Sequence, residues 1–269
     1  MLKVARATFV RNTISMFRAY PWSFFIGHIL SGVYTVLFAY LTYTYVFAGK
    51  LDESFTRFAG TGDYLTYVIL GGMLYPFAVS TLMNVSRALI TELREGTFEA
   101  LLLTPSSRKG YFLGNVTQQI LRTMLELIVI LVVGLFFGLQ LGNINWLSSS
   151  VILLLATAAF FCQALVLGSV MLRFRDTYIT QNTLFVIMAF VSGVTFPTAY
   201  LPWWLQPLRL IMPLTPALQA LRSSVIQGQG ISAGLPQIVH LLILSIIYFV
   251  IGSVTIRRME KRVVETIFG

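Results

Sequence analysis

Charge and cysteine are what this chain has least of. Only 11% of its 269 residues are charged while 57% are hydrophobic, too little polarity to clothe a soluble globular domain of this size. The single cysteine, Cys162, excludes a disulfide framework within the chain. Two histidines, His28 and His240, stand alone, with no HExxH or Cys/His ligand spacing, so no metal site is legible. No Gly-x-x-x-x-Gly-Lys-Ser/Thr phosphate loop occurs, and the chain cannot hydrolyse ATP by that route. Serine, cysteine and carboxylate nucleophiles lack any visible set of partners, which argues against an enzyme. No polar stretch exceeds about 40 residues, too few for an independent core.

What is present is apolar and helical in character. A mean hydropathy of +0.79 marks an integral membrane protein. The criterion of about 20 apolar residues per crossing gives six spans, at 22–47, 64–90, 111–141, 146–172, 179–196 and 238–256. In the third, the apolar part starts at Met124, so its first turns lie at or below the inner interface. Residues 1–20 are basic and amphipathic. At 100° per residue Leu2, Ala5, Phe9, Met16 and Tyr20 share one face, and Lys3, Arg6, Arg11 and Arg18 another. A signal peptide is the competing reading, but the apolar run beyond is too long for an h-region. An interface helix ended by Pro21 fits better.

The net charge of +9 follows the membrane flanks rather than any nucleic-acid face. Thirteen of the nineteen Lys and Arg residues fall in the N-terminus, the second-to-third loop, the fourth-to-fifth turn and the C-terminus. The opposite side has Lys50, Arg57, Arg209 and Arg222. The positive-inside rule therefore predicts cytoplasmic termini in a multi-pass protein of the cell membrane, inner or plasma.

Three of the ten acidic residues, Glu92, Glu95 and Glu99, crowd into one cytoplasmic segment, 91–107. Gly96 predicts a helix break, Thr97 an N-cap, and Pro105 a stop. Glu99 then sits in a first turn, where a carboxylate is favoured. A plain interfacial loop helix is one reading of this short acidic element. Docking to a basic partner protein is the other, since an acidic helix is repelled by anionic lipid. The run Glu-Leu-Arg-Glu-Gly-Thr-Phe-Glu-Ala-Leu-Leu-Leu-Thr-Pro at 92–105 resembles the motif of ABC-2 type transporter permeases, with Phe98 in place of the commoner Leu. The resemblance implies a coupling segment seated on an ATPase subunit, with Glu92, Arg94, Glu95, Gly96, Thr97, Phe98, Glu99 and Pro105 as its contacts.

Five of nine prolines fall within 197–216, among Trp203 and Trp204. Pro197, Pro202, Pro213 and Pro216 break the chain into short helices that aromatic residues keep at the membrane. Two helices dipping back from the outer face are predicted at 197–222, with Arg209 and Arg222 near headgroups or paired with protein. A plain external loop is the alternative. The string is similar to the re-entrant segment of the same family. Within spans, Arg87, Arg122 and Glu126 are charges a bilayer resists, and they predict an ion cluster joining the second and third helices, with snorkelling as the alternative. Gly134, Gly138 and Gly142 predict a small-residue packing ridge. Gln118, Gln119, Thr157, Gln163, Thr180, Gln181 and Asn182 are polar points that line a cavity or bond neighbouring helices.

The expectation is thus an all-α integral membrane protein forming one ABC-2 type domain over 1–269. It has six transmembrane helices, an N-terminal interface helix, a cytoplasmic coupling helix, and extracellular re-entrant helices between spans five and six. The resemblance implies the permease of an exporter, itself without cofactor, whose partner ATPase subunits carry ATP and Mg. A second permease protomer, forming a homodimer, and membrane lipids are the other expected partners. The substrate expected is an amphipathic small molecule, drug or antibiotic, with a lipid-linked glycan or polysaccharide as the alternative. An ion-coupled secondary transporter is disfavoured, because only Glu126 offers an intramembrane carboxylate and no internal repeat is seen.

Overall fold

The computed structural model describes residues 2–19, 36–94, 108–139, 141–174 and 178–268, with residues 26, 30, 33 and 34 besides. Regular structure among these residues is helical throughout. In chain order the helices are α1 (Leu2–Ala19), α2 (Val36–Val46), α3 (Glu53–Ala59), α4 (Tyr64–Arg94) and α5 (Arg108–Phe136). They are followed by α6 (Trp146–Phe174), α7 (Tyr178–Val191), α8 (Gln206–Ile211), α9 (Leu214–Ile226) and α10 (Leu235–Phe268).

Helix α6 is the pillar. It packs against α4, α9 and α10, while α5 packs against α4 and α1. Phe77 of α4 meets Phe160 of α6 edge to face at 6.0 Å, both rings fully buried. Glycines let the helices close: a Cβ at Gly252 would lie 2.6 Å from Leu165 Cβ, and one at Gly168 would lie 3.2 Å from the Ser86 carbonyl oxygen. Small residues at such crossings bring backbones near enough for dense packing.

Among the described residues three helical segments are long and apolar enough to cross a membrane: Tyr64–Ser86, Trp146–Met171 and Leu235–Ile256. Of their windows 67% is buried in the first and only 22% in the last, so α4 is core and α10 turns Ile243, Ile246, Phe249 and Val250 outward. The other apolar helices are shorter, Val36–Val46, Leu127–Phe136 and Thr180–Val191. Helix α2 ends in a π-helical turn, Thr42–Val46, and of the expected first span the residues 22–25, 27–29, 31, 32 and 35 lie outside the described residues.

Several expectations change here. The third apolar run was expected to continue to 141, with three glycines on one ridge, but α5 stops at Phe136. Gly138 has φ of +96° and faces open space, and Gly142 also has nothing near its Cβ position. Glycine tolerates the left-handed region, so Gly138 ends the helix instead of extending it. Of the three only Gly134 packs: a Cβ there would lie 3.2 Å from Ile69 Cγ2. The fifth run, expected over 179–196, is helical only to Val191, about 21 Å of helix at 1.5 Å per residue, and continues through 192–196 as turns and bends. Helix α1 rests on α5 through Ala5 and Thr8, where a Cβ on Gly114 would be 2.5 Å from the Ala5 carbonyl oxygen. Asn12 Nδ2 donates to Asn115 Oδ1 at 2.6 Å. Its contact face is therefore small and polar, and Leu2 of the expected apolar face stands exposed.

Candidate functional site

The 197–226 segment builds the end of the bundle remote from α1. Pro207 lies in the first turn of α8 and Pro216 in that of α9. Their missing N–H groups are harmless there, because first-turn donors have no intrahelical acceptor. Helix α9 then inserts among α4, α6 and α10, burying Leu214, Leu218, Leu221 and Val225 on one face. His240 Nε2 and Tyr248 Oη, both on α10, bond the Leu210 and Ile211 carbonyl oxygens at the end of α8, at 2.8 and 2.9 Å. Ser224 of α9 bonds Ser149 Oγ (2.8 Å) and the Asn145 carbonyl oxygen (3.1 Å) at the start of α6. Trp203 and Trp204, by contrast, are exposed.

Arg222 is the centre of this end. Its residue is 6% exposed, and its guanidinium lies 3.4 Å from the Tyr67 ring centroid. Nε and Nη2 donate to the Tyr67 carbonyl oxygen at 3.3 and 2.9 Å. Nη1 donates to that of Gly193 at 2.7 Å and Nη2 to that of Val194 at 2.9 Å. One side chain thus clamps the start of α4 to the chain leaving α7. A planar five-donor fork suits several carbonyls at once, and cation–π attraction adds to it. Gly71 is what permits the approach: a Cβ there would lie 2.0 Å from the Val194 carbonyl oxygen and 2.8 Å from Arg222 Nη2.

Two hollows flank the clamp. One is a groove of about 340 Å³ between α2, α4 and α7, lined by Tyr34, Phe38, Tyr75, Pro76, Phe190 and Phe196 among others. Its rims stand outward, with Tyr34 and Phe190 exposed. The other is a polar cavity of about 440 Å³ bounded by α3, α8, α9 and α10, with Arg222, Arg209 and Gln219 in its walls. Val68 faces the groove and its neighbour Tyr67 the cavity.

Residues 5–226 match the ABC-2 type transporter family. The chain belongs to that family. As an ABC-2 type transporter it is a multi-pass membrane protein and the permease component of an ABC transporter, a family whose members work with ABC ATPase subunits. Among curated proteins none matches the chain.

The expected site residues fall unevenly on this frame. Glu92 and Arg94 belong to the last turn of α4; Glu95, Gly96, Thr97, Phe98, Glu99 and Pro105 lie outside the described residues. Arg87 is on α4, and Arg122 and Glu126 are on α5; the two helices pack together, while the three side chains lie outside the described set. Pro197, Pro213 and Pro216 are buried and Pro202 is exposed. Of the seven expected polar points, Gln119 has its side chain outside the described set, and none of the other six lines either hollow. Buried Gln181 instead contacts Ser86 Oγ at 3.5 Å, and Thr157 bonds the Leu153 carbonyl oxygen of its own helix. Of the two sequence-based expectations for Arg222, near headgroups or paired with protein, the structure shows the second, with backbone carbonyls as the partners. The placement of Arg222 within the run Leu214–Ile226 was the available signal.

Proposed function

We propose that this ABC-2 permease is half of an ATP-driven exporter. Two identical protomers pair with two separate ATPase chains, which hold ATP and Mg. Each protomer crosses the cell membrane six times and keeps both termini cytoplasmic, as its Lys and Arg distribution favours. The segment around Glu92, Glu95 and Glu99, ending at Pro105, is the coupling helix. Closure of the ATPases on ATP moves it, and two arrangements of the spans exchange, opening a path to the outside.

The observation that supports an amphipathic substrate is the groove. It is walled mainly by aromatic and aliphatic side chains, and Tyr34 and Phe190 stand exposed at its rims. An apolar hollow of this size takes the greasy part of a small molecule, drug or antibiotic. The same groove would seat the lipid tail of a lipid-linked glycan, which makes that the second reading. The reading is tested by co-purifying the chain from its host, identifying the bound ATPase, and reversing charge with Glu95→Lys and Glu99→Lys together. Loss of the ATPase from a folded permease is expected. Retention of the ATPase with unchanged pumping would leave 91–107 as a loop helix and remove the coupling role.

A further inference from the structure

The polar cavity is not accounted for by an apolar export path, and its chemistry is specific. Among the described residues fifteen line it and none is acidic, while two are arginines. Arg222 carries its charge inward, bonded only to carbonyl dipoles and facing an aromatic ring. Carbonyl dipoles take four of its five N–H donors but leave a full positive charge in a low-dielectric wall, where an anion is attracted far more strongly than in water. Arg209, half-buried on α8, donates through Nη1 to Thr198 Oγ1 at 3.1 Å. That leaves further guanidinium donors for the cavity.

Two wall groups wait for a partner. Ser192 is 1% exposed, and its hydroxyl has no hydrogen bond. Gln237 Oε1, from the first turn of α10, is buried and equally unpaired. Buried polar atoms in folded proteins are almost always paired, so two orphans on one cavity point to something that occupies it. Gln237 Oε1 can only accept, and needs a ligand O–H or N–H; the arginines can only donate, and need a ligand oxygen. An anion alone answers the second demand. A ligand with both an anionic oxygen and hydroxyls answers both.

We infer that this cavity binds a phosphorylated polyol headgroup, its phosphate toward Arg209 and Arg222 and its hydroxyls toward Ser192 and Gln237. The volume of about 440 Å³ lies within the range of about 300–1,000 Å³ typical of ligand pockets. A glycerol phosphate lipid and a free polyol phosphate share this chemistry. The inference goes beyond the export reading and does not need it, since the site is complete without an ATPase.

The test uses the purified full chain in nanodiscs holding equal phosphatidylglycerol and phosphatidylcholine, with retained lipid read by native mass spectrometry. Phosphatidylglycerol has the net charge and the hydroxyls; phosphatidylcholine has neither. Preferential retention of phosphatidylglycerol is expected. Arg209→Gln, which removes one charged donor without touching the Arg222 clamp, should weaken that retention by about tenfold, the effect of one charge-assisted hydrogen bond. Gln237→Leu, on another element of the cavity wall, should weaken it in the same direction, with the unfolding midpoint of each variant checking the fold. Displacement by added glycerol 3-phosphate would show that the headgroup alone suffices. Retention without displacement would assign the site to the lipid-borne form. Equal retention of both lipids, or wild-type retention in both folded variants, overturns the inference.

Discussion

The groove and the polar cavity lie on either side of one wall and could hardly differ more. Aromatic and aliphatic side chains line the first, and two of its rims are exposed. Arginine, glutamine and serine line much of the second, and its orphaned groups are buried. The wall between them is made of backbone: the first turn of α4 and the chain leaving α7, held by four bonds from Arg222. A hollow lined by apolar side chains tolerates exchange of those side chains, because dispersion contacts are many and individually weak. A wall built from carbonyls around one cation does not, because each acceptor loses its partner together. The lesson is that rigidity and the lining of the hollows fall to different atoms of the same short stretch.

The comparison is broken most severely by Arg222→Leu. Three carbonyl oxygens lose the guanidinium, Gly193 keeping only the Tyr67 hydroxyl at 3.3 Å, and each buried acceptor left unpaired costs about 1–3 kcal/mol. The expected outcome is loss of monodisperse protein in detergent chromatography, whereas a well-folded variant would mean that the clamp is dispensable. Gly71→Ala comes next. The added carbon collides with a backbone oxygen rather than a flexible side chain, and overpacking of this kind costs about 1–3 kcal/mol. A lower thermal midpoint with Arg222 intact checks it. Ser224→Ala removes the bonds to Ser149 and Asn145 and should lose about 1 kcal/mol in the same assay. Phe190→Ala is the sharpening case: an exposed groove residue whose loss should leave stability within about 0.5 kcal/mol while lowering transport of an apolar substrate. A large stability loss there would make the groove a structural seam instead.

Much of the frame was legible in the sequence, because apolar length is read directly from composition. The runs that became α4, α6 and α10 needed only counting. The ends were harder. Gly138 looks like a packing residue at four-residue spacing from Gly134, and only the observed backbone angle shows that it ends the helix. The buried face of α1 was obscured because Gly114, its docking point, lies over a hundred residues away. Arg222 shows the deeper limit. Its acceptors are carbonyls of Tyr67, Gly193 and Val194, and a carbonyl has no residue identity for a sequence to display. A carboxylate partner would have been visible; a backbone one is not. The acidic segment was the opposite case, conspicuous in sequence while most of it lies outside the described residues.

The account rests on the groove being where an ATP-driven permease takes its substrate. Efflux of a lipophilic fluorescent dye from proteoliposomes holding the chain and its ATPase partner measures this directly, comparing wild type with Ala189→Trp, which fills the groove from α7. The account predicts ATP-dependent efflux in the wild type, abolished in the variant, with ATP hydrolysis and thermal midpoint retained. Undiminished efflux through the filled groove would contradict it.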